Sequence, residues 1–82
     1  MPRTELNRSG DMEAFVQVVD RGSFSAAAAV LGMTPSAVSK LMSRLEARLG
    51  TRLLHRSTRK LQLTPEGQLY YERGVRVLAD LD

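Results

Sequence analysis

The sequence predicts a mainly helical domain made of three short helices, a small β-hairpin and a long last helix. Two Thr-Pro pairs, Thr34-Pro35 and Thr64-Pro65, each place an N-cap residue before a proline at the first helical position. Gly32 and Gly50 follow apolar runs with helical spacing, where a glycine typically ends a helix. Between residues 53 and 63 the helical spacing gives way to two short strand-like runs, and in the second of them Leu61 and Leu63 alternate with Gln62.

The composition limits the function classes. The chain has 82 residues and no cysteine, which predicts one small domain without disulfides or a thiol nucleophile. The single histidine, His55, has no second ligand at a useful spacing, and no catalytic motif is present, so we expect no metal, no cofactor and no enzymatic activity. The longest apolar run, residues 26–31, is too short to cross a bilayer, which predicts a cytoplasmic protein without a membrane partner.

The basic residues are concentrated in one segment. Residues 34–60 hold seven of the twelve lysines and arginines but only one of the nine acidic residues, Glu46, which gives this segment a net charge of +6. The whole chain carries only +3. Positive charge gathered in one segment indicates a polyanionic partner for that segment.

The first predicted helix begins near Asp11, a candidate N-cap. The apolar residues that follow have helical spacing: Met12, Phe15, Val16 and Val19. Residues 1–10 are polar and lack this periodicity, which predicts a flexible N-terminal lead. We therefore expect a folded domain over residues 11–64 and a last helix over residues 65–82.

The second and third predicted helices have the pattern of a helix-turn-helix. Ser23 is a natural N-cap for the second helix. Such a motif needs a small residue where the helices cross, a turn residue that tolerates positive φ, and an aliphatic residue between the helices. Ala28, Gly32 and Val38 meet these requirements in order.

The third predicted helix, residues 35–49, has two contrasting faces. One face is apolar and holds Val38, Leu41, Met42, Leu45 and Leu49. Another face carries Lys40, Arg44 and Arg48, with Ser36, Ser39 and Ser43 near the start of the helix. A helix anchored by one side that presents hydroxyls and cations on the other is typical of DNA recognition, although an ordinary solvated helix can show the same pattern.

The hairpin predicted around residues 57–59 has a basic tip and corresponds to the wing of a winged helix. The last helix, from Pro65 onward, would extend about 27 Å, more than a small three-helix core can cover. We expect the remainder to pair with a second copy through five residues: Leu69, Tyr70, Val77, Leu78 and Leu81.

Several motifs resemble the N-terminal domain of LysR-type transcriptional regulators. They are Ser23-Phe24-Ser25-Ala26-Ala27-Ala28, the run from Leu31 to Lys40, Leu45-Glu46, the run from Leu49 to Arg56, and Leu63-Thr64-Pro65-Glu66-Gly67. This resemblance implies a winged helix-turn-helix joined to a long linker helix that pairs antiparallel with its partner. It also implies a C-terminal sensor domain for a small-molecule effector, which these 82 residues lack.

The resemblance also implies which residues contact DNA. Base contacts would come from the start of the third helix, at Pro35, Ser36, Ser39 and Lys40. Phosphate and wing contacts would come from Ser25, Thr34, Arg56, Thr58, Arg59 and Lys60. Arg44 and Arg48 lie further from the start of the third helix and near Glu46, so their spacing leaves two roles open: a phosphate contact, or a solvated side chain or surface ion pair. Many members of the family have Gln then Pro where this chain has Pro35 then Ser36, so one amide contact to a base is lost here.

Together these observations predict a sequence-specific, dimeric, double-stranded DNA-binding domain of a transcriptional regulator that reads an inverted repeat. Two alternatives stay open on the sequence. One is a winged helix that serves as a protein-interaction module and docks an acidic partner through the basic segment. The other is a small self-contained dimeric repressor.

Overall fold

The structure, a computed structural model, describes residues 3–55 and 61–80, with side chains from Gly10 onward. Across these residues the elements follow in the order α1 (Arg3–Arg21), α2 (Phe24–Leu31), α3 (Pro35–Leu49), β1 (Leu54–His55), β2 (Gln62–Leu63) and α4 (Pro65–Asp80). The strands pair antiparallel, with Leu54 opposite Leu63 and His55 opposite Gln62. This order confirms the predicted mainly helical fold, a winged helix-turn-helix followed by a long last helix.

Hydroxyl side chains begin three of the helices. The Ser23 hydroxyl accepts the Ala26 N–H at 3.0 Å, and the Thr34 hydroxyl accepts the Ala37 N–H at 3.1 Å. At the start of α4, the Thr64 hydroxyl accepts the Gly67 N–H at 2.9 Å and donates to the carbonyl of Arg52 at 2.6 Å. Each cap satisfies a backbone donor that the helix itself leaves unpaired, which confirms the predicted helix starts.

The turn between α2 and α3 depends on Gly32. Its φ is 69°, in the left-handed region where a side chain is strained. In this conformation the N–H groups of both Gly32 and Met33 donate to the carbonyl of Ala28, which closes the end of α2. Ala28 and Val38 are fully buried between the two helices. The predicted helix-turn-helix positions are thereby confirmed.

Helix α1 corrects the expected helix start. It begins at Arg3 and not near Asp11, so residues 3–10 continue the helix. Asp11 accordingly lies within the helix, where it is buried, and is not an N-cap. The physical reason is that extending an existing helix costs little once its first turn has formed, and Glu5 and Leu6 are good helix formers.

The core lies between α1, α2, α3 and the start of the hairpin. Its large fully buried side chains are Phe15, Val18, Val38, Met42, Leu45, Leu53 and Leu54. Leu49, predicted on the apolar face of α3, is instead exposed. It is the last residue of α3 and lies a full turn beyond Leu45, past the end of the core.

Helix α4 packs closely on the domain through two buried glycines. A Cβ atom built at Gly67 would lie 2.1 Å from the carbonyl oxygen of Leu53, and one built at Gly74 would lie 3.1 Å from the Cγ2 atom of Val16. No side chain fits at the first position without a backbone shift. Over the part of the chain that is described, no helix has the length and apolar character needed to cross a membrane.

Candidate nucleic-acid interface

Helix α3 presents a polar stripe on the side opposite the core. Its polar residues recur at helical spacing and are exposed, Ser36, Lys40 and Ser43, and the exposed Ala47 continues the same side of the helix. The buried residues of the same helix are Val38, Met42, Leu45 and Glu46. Of the predicted base-contacting residues, Pro35, Ser36 and Lys40 are exposed, whereas Ser39 is half-buried at the edge of the stripe. The fold therefore holds α3 by one face and leaves the other open.

The N-terminal end of α3 is suited to an anion. The Thr34 hydroxyl accepts the Ala37 N–H, which leaves its own O–H to donate to a partner. The first N–H groups of the helix add a partial positive charge. Ser25, exposed in the first turn of α2, offers a second hydroxyl group. These features are compatible with the phosphate contacts predicted for Thr34 and Ser25.

The cations of α3 differ in what they contact. Lys40 and Arg44 are exposed and make no ion pair with any residue that the structure describes. Arg48 forms an ion pair, because its Nη1 atom lies 3.0 Å from the Oδ2 atom of Asp11. Asp11 is only 8% exposed. For Arg48 the sequence left open a choice between a phosphate contact and an ion pair. The structure shows the ion pair.

Glu46 is a buried carboxylate that sequence reasoning did not place. Its Oε2 atom accepts the N–H of Leu53 at 2.8 Å and the N–H of Leu54 at 3.1 Å. It thus connects α3 to the first strand of the hairpin. The sequence contains one indication that Glu46 is buried. It is four residues from Met42 and adjacent to Leu45, which places it at the edge of the apolar face of α3.

The hairpin continues directly from this contact. Leu53 and Leu54 are buried, and the strands pair at Leu54–Leu63 and His55–Gln62. Four predicted wing contacts, Arg56, Thr58, Arg59 and Lys60, lie outside the described residues.

The five apolar residues predicted to pair two copies do not share one face of α4. Leu69 and Leu78 are nine positions apart and so lie on opposite sides of the helix. Tyr70 packs edge-to-face on Phe15 of the same chain, with ring centroids 5.3 Å apart, and Leu78 is half-buried. Leu69 and Val77 are 55% and 42% exposed, and Leu81 lies outside the described residues. Only the exposed members are available to a partner without rearrangement.

Two tyrosines on α4 have perturbed pKa values. Burial raises the pKa of Tyr70, an effect that the nearby positive charge of Arg48 opposes. The Tyr71 hydroxyl donates to the Oδ1 atom of Asp20 at 2.5 Å, and this hydrogen bond raises the pKa of Tyr71. Among the described residues there is no cluster of His, Cys, Asp and Glu side chains that could hold a metal ion.

Comparison with known proteins identifies the family. Residues 9–68 match the family model described as a bacterial regulatory helix-turn-helix protein, lysR family. The chain is 51% identical over 73 residues to the HTH-type transcriptional regulator CrgA of Neisseria meningitidis, and 48% identical over 68 residues to the HTH-type transcriptional activator TtdR of Escherichia coli. These matches cover 89% and 83% of this chain but only 24% and 22% of the relatives, so the chain spans about a quarter of their length.

Solved structures show the same fold. The DNA-binding domain of BenM, solved in complex with the catB site 1 DNA, matches with a TM-score of 0.87 at 34% identity, over 90% of this chain and 82% of that one. The structure of CrgA, a LysR-type transcriptional regulator from Neisseria meningitidis, matches with a TM-score of 0.71 at 50% identity, over 88% of this chain and 24% of that one. The chain belongs to the lysR family of bacterial helix-turn-helix regulators.

Proposed function

We propose that this chain binds double-stranded DNA in a sequence-specific manner, as the DNA-binding domain of a transcriptional regulator. The observation that carries the proposal is the two-sided character of α3, with Val38, Met42 and Leu45 buried on one side and Ser36 and Lys40 exposed on the other. Support comes from the likeness to the BenM domain that was solved with DNA. An α-helix of this size fits the major groove.

The exposed start of α3 would read bases. Lys40 can donate to guanine N7 and O6, Ser36 and Ser39 can exchange hydrogen bonds with base edges, and Pro35 can contact a thymine methyl group. These contacts would supply the choice of sequence. They are few, so most of the affinity has to come from elsewhere.

Phosphate contacts would supply that affinity. Thr34 caps α3, Arg44 is exposed on α3, and Ser25 is exposed in the first turn of α2; residues 34–60 carry a net charge of +6. The predicted wing residues Arg56, Thr58, Arg59 and Lys60 belong to the same basic segment. Neutralising phosphates releases counterions, which makes binding steeply dependent on salt.

Two copies would pair through α4. Support comes from its exposed apolar side chains, Leu69, Val75 and Val77, which a monomer leaves in water. A symmetric pair would present two α3 helices to successive major grooves, which matches an inverted-repeat site. In a longer protein of the kind to which this chain is similar, a separate sensor domain would bind a small-molecule effector, and the whole would act in the cytoplasm as a regulator and not as an enzyme.

A salt titration of DNA binding tests the proposal. The purified chain is titrated with a duplex from the upstream region of its own gene, and with a scrambled duplex of equal length and composition, at several salt concentrations. We expect tighter binding to the upstream duplex and a steep fall of both affinities with salt.

The alternatives predict other results. Equal affinity for both duplexes, at every salt concentration, would contradict sequence-specific binding at this site. No binding even at low salt would contradict DNA binding altogether and favour a protein-interaction module with an acidic partner.

A further inference from the structure

Three polar side chains from three different helices meet at one junction. Asp11 lies on α1, Arg48 lies in the last turn of α3, and Tyr70 lies in the second turn of α4. The guanidinium of Arg48 donates to the Asp11 carboxylate at 3.0 Å. The Tyr70 ring packs on Phe15, one turn along α1 from Asp11, and the charge of Arg48 opposes the rise in the pKa of Tyr70. We refer to these three residues as the junction cluster.

The contacts around the junction cluster hold α4 on α1. The Tyr70 ring packs on Phe15, and one turn later Gly74 brings the helix against Val16 and Met12. The last turn of α3 contacts α1 through the ion pair of Arg48 with Asp11. Helices α3 and α4 are therefore connected through α1 and the junction cluster, in addition to the contacts that Glu46 and Gly67 make with Leu53.

We propose that the junction cluster sets the angle between the DNA-reading helix α3 and the pairing helix α4, and thereby the half-site spacing that a dimer prefers. This inference rests on the proposed function, since it requires two copies joined through α4 with each α3 in a major groove. Its new element is that residues far from the open face of α3 determine the preferred DNA site.

A small change in the angle between α3 and α4 produces a large displacement at the far end of α4. From Tyr70 to Asp80, α4 extends about 15 Å at 1.5 Å per residue. A tilt of about 10° at Tyr70 would move the far end by about 2.6 Å, close to the base-pair rise of about 3.4 Å. In a symmetric pair the shift occurs twice. A small change at the junction cluster is then sufficient to alter the spacing by about one base pair.

Charge burial explains why the cluster holds one geometry. The Asp11 carboxylate is almost fully buried, and Arg48 is its partner at 3.0 Å. Moving the end of α3 away from α1 would leave a buried charge without its partner, which is strongly unfavourable. Two variants weaken the contacts of the junction cluster without leaving a buried charge unpaired. Tyr70→Phe removes only the hydroxyl, and Asp11→Asn combined with Arg48→Met removes both charges together.

A spacing series tests the proposal. Half-sites are first selected by the wild-type chain from a random duplex pool, and are then arranged as inverted repeats whose spacing changes by single base pairs. Affinities for the series and for an isolated half-site are measured with the wild type, Tyr70→Phe and the Asp11→Asn/Arg48→Met double variant. The control is Arg21→Met, which removes an exposed arginine from the last turn of α1, away from the cluster.

We expect both junction variants to shift the preferred spacing by about one base pair, or to flatten the preference between neighbouring spacings by about threefold, with affinity for the isolated half-site unchanged. The control should retain the wild-type profile. An unchanged spacing profile in both junction variants would overturn the inference and leave the proposed function intact. An equal loss of affinity at every spacing and for the isolated half-site would also overturn the inference, because general destabilisation of the domain has that effect. A wild type that binds no inverted repeat better than a half-site would overturn the inference and the pairing of two copies, whereas specific binding to the half-site would stand.

Discussion

The carboxylate of Glu46 accepts the backbone N–H of Leu53 at 2.8 Å, across the boundary between α3 and the hairpin. The same oxygen accepts the N–H of Leu54, and the carbonyl of Glu46 accepts the N–H groups of Gly50 and Thr51. One residue therefore ends α3, turns the chain and places the first strand. An acidic residue in the basic segment has a structural reason to be there.

Replacing Glu46 by alanine should destabilise the domain by about 2–4 kcal/mol, because two buried N–H groups lose their acceptor. Glu46→Gln should cost less, since an amide oxygen can still accept. The measurement is urea unfolding followed by circular dichroism. Glu13→Ala, at an exposed position of α1, is the matched control and should leave stability nearly unchanged. Equal stability of Glu46→Ala and the control would contradict this account.

Two glycine-to-alanine substitutions should have opposite signs. Gly67→Ala should destabilise the domain by about 1–3 kcal/mol, because its Cβ atom would clash with the Leu53 backbone. Gly10→Ala should stabilise it by about 0.5–1 kcal/mol, because Gly10 lies within α1 and a Cβ atom there meets nothing within 4 Å. Thermal unfolding of both variants provides the comparison. A loss of stability in Gly10→Ala would contradict the continuation of α1 through that residue.

Lys40→Ala should weaken specific DNA binding by about tenfold and lower the salt slope by about 1 per subunit, because an exposed cation is removed from the open face of α3. The measurement is fluorescence anisotropy with the upstream duplex at several salt concentrations. Arg21→Ala removes one positive charge from α1 and should change the slope far less. Unchanged affinity and slope in Lys40→Ala would remove this residue from the proposed interface.

Val77→Asp should weaken self-association by about tenfold or more, because it places a charge on the exposed apolar part of α4. Val30→Asp is the matched control, since Val30 on α2 is 48% exposed and Val77 is 42% exposed. Sedimentation equilibrium of the two variants measures the effect. Equal dimer affinities in both would show that α4 does not pair the copies through Val77.

The two tyrosines should make the domain less stable in strong alkali. Burial raises the pKa of Tyr70, and the hydrogen bond to Asp20 raises that of Tyr71, both above the usual value of 10.0. The folded state therefore holds these protons more tightly than the unfolded state. This stabilisation is fully present below pH 10.0 and is lost as the pH rises through the folded pKa values.

A spectrophotometric titration of tyrosinate tests this point, because the chain has two tyrosines and no tryptophan. In Tyr71→Phe only Tyr70 titrates, and its midpoint should lie above 10.0 while the chain stays folded. Midpoints equal to that of free tyrosine in both the wild type and this variant would contradict the burial of Tyr70 and the hydrogen bond of Tyr71.

Local chemistry explains which features were predictable from the sequence. The caps at Ser23, Thr34 and Thr64 bond to N–H groups three residues away, and the turn at Gly32 needs only its own φ and a carbonyl four residues back. Such signals are contained in short stretches of sequence. The two faces of α3 follow in the same way from helical spacing.

Features that depend on distant residues were not predictable in this way. Asp11 and Arg48 are 37 positions apart. No residue near Asp11 in the sequence therefore indicates whether Asp11 caps a helix or is buried in an ion pair with an arginine. The clash that forbids a side chain at Gly67 comes from the backbone of Leu53, and the ring that half-buries Tyr70 belongs to α1. The roles of all the predicted DNA-contacting residues, on α2, on α3 and in the wing, stay predictions.

The hydroxyl caps and the left-handed glycines also have a consequence for folding kinetics. They fix the ends of α2 and α3 with contacts that span only a few residues, and the connections from α1 to α2 and from α2 to α3 are two and three residues long. Closing such short loops costs little entropy, and folds rich in local contacts cross their folding barrier quickly. We expect the helix-turn-helix to form early, on a microsecond-to-millisecond timescale, and the long-range ion pair of Asp11 with Arg48 to form late. Loss of that pair should then speed unfolding while leaving the folding rate almost unchanged.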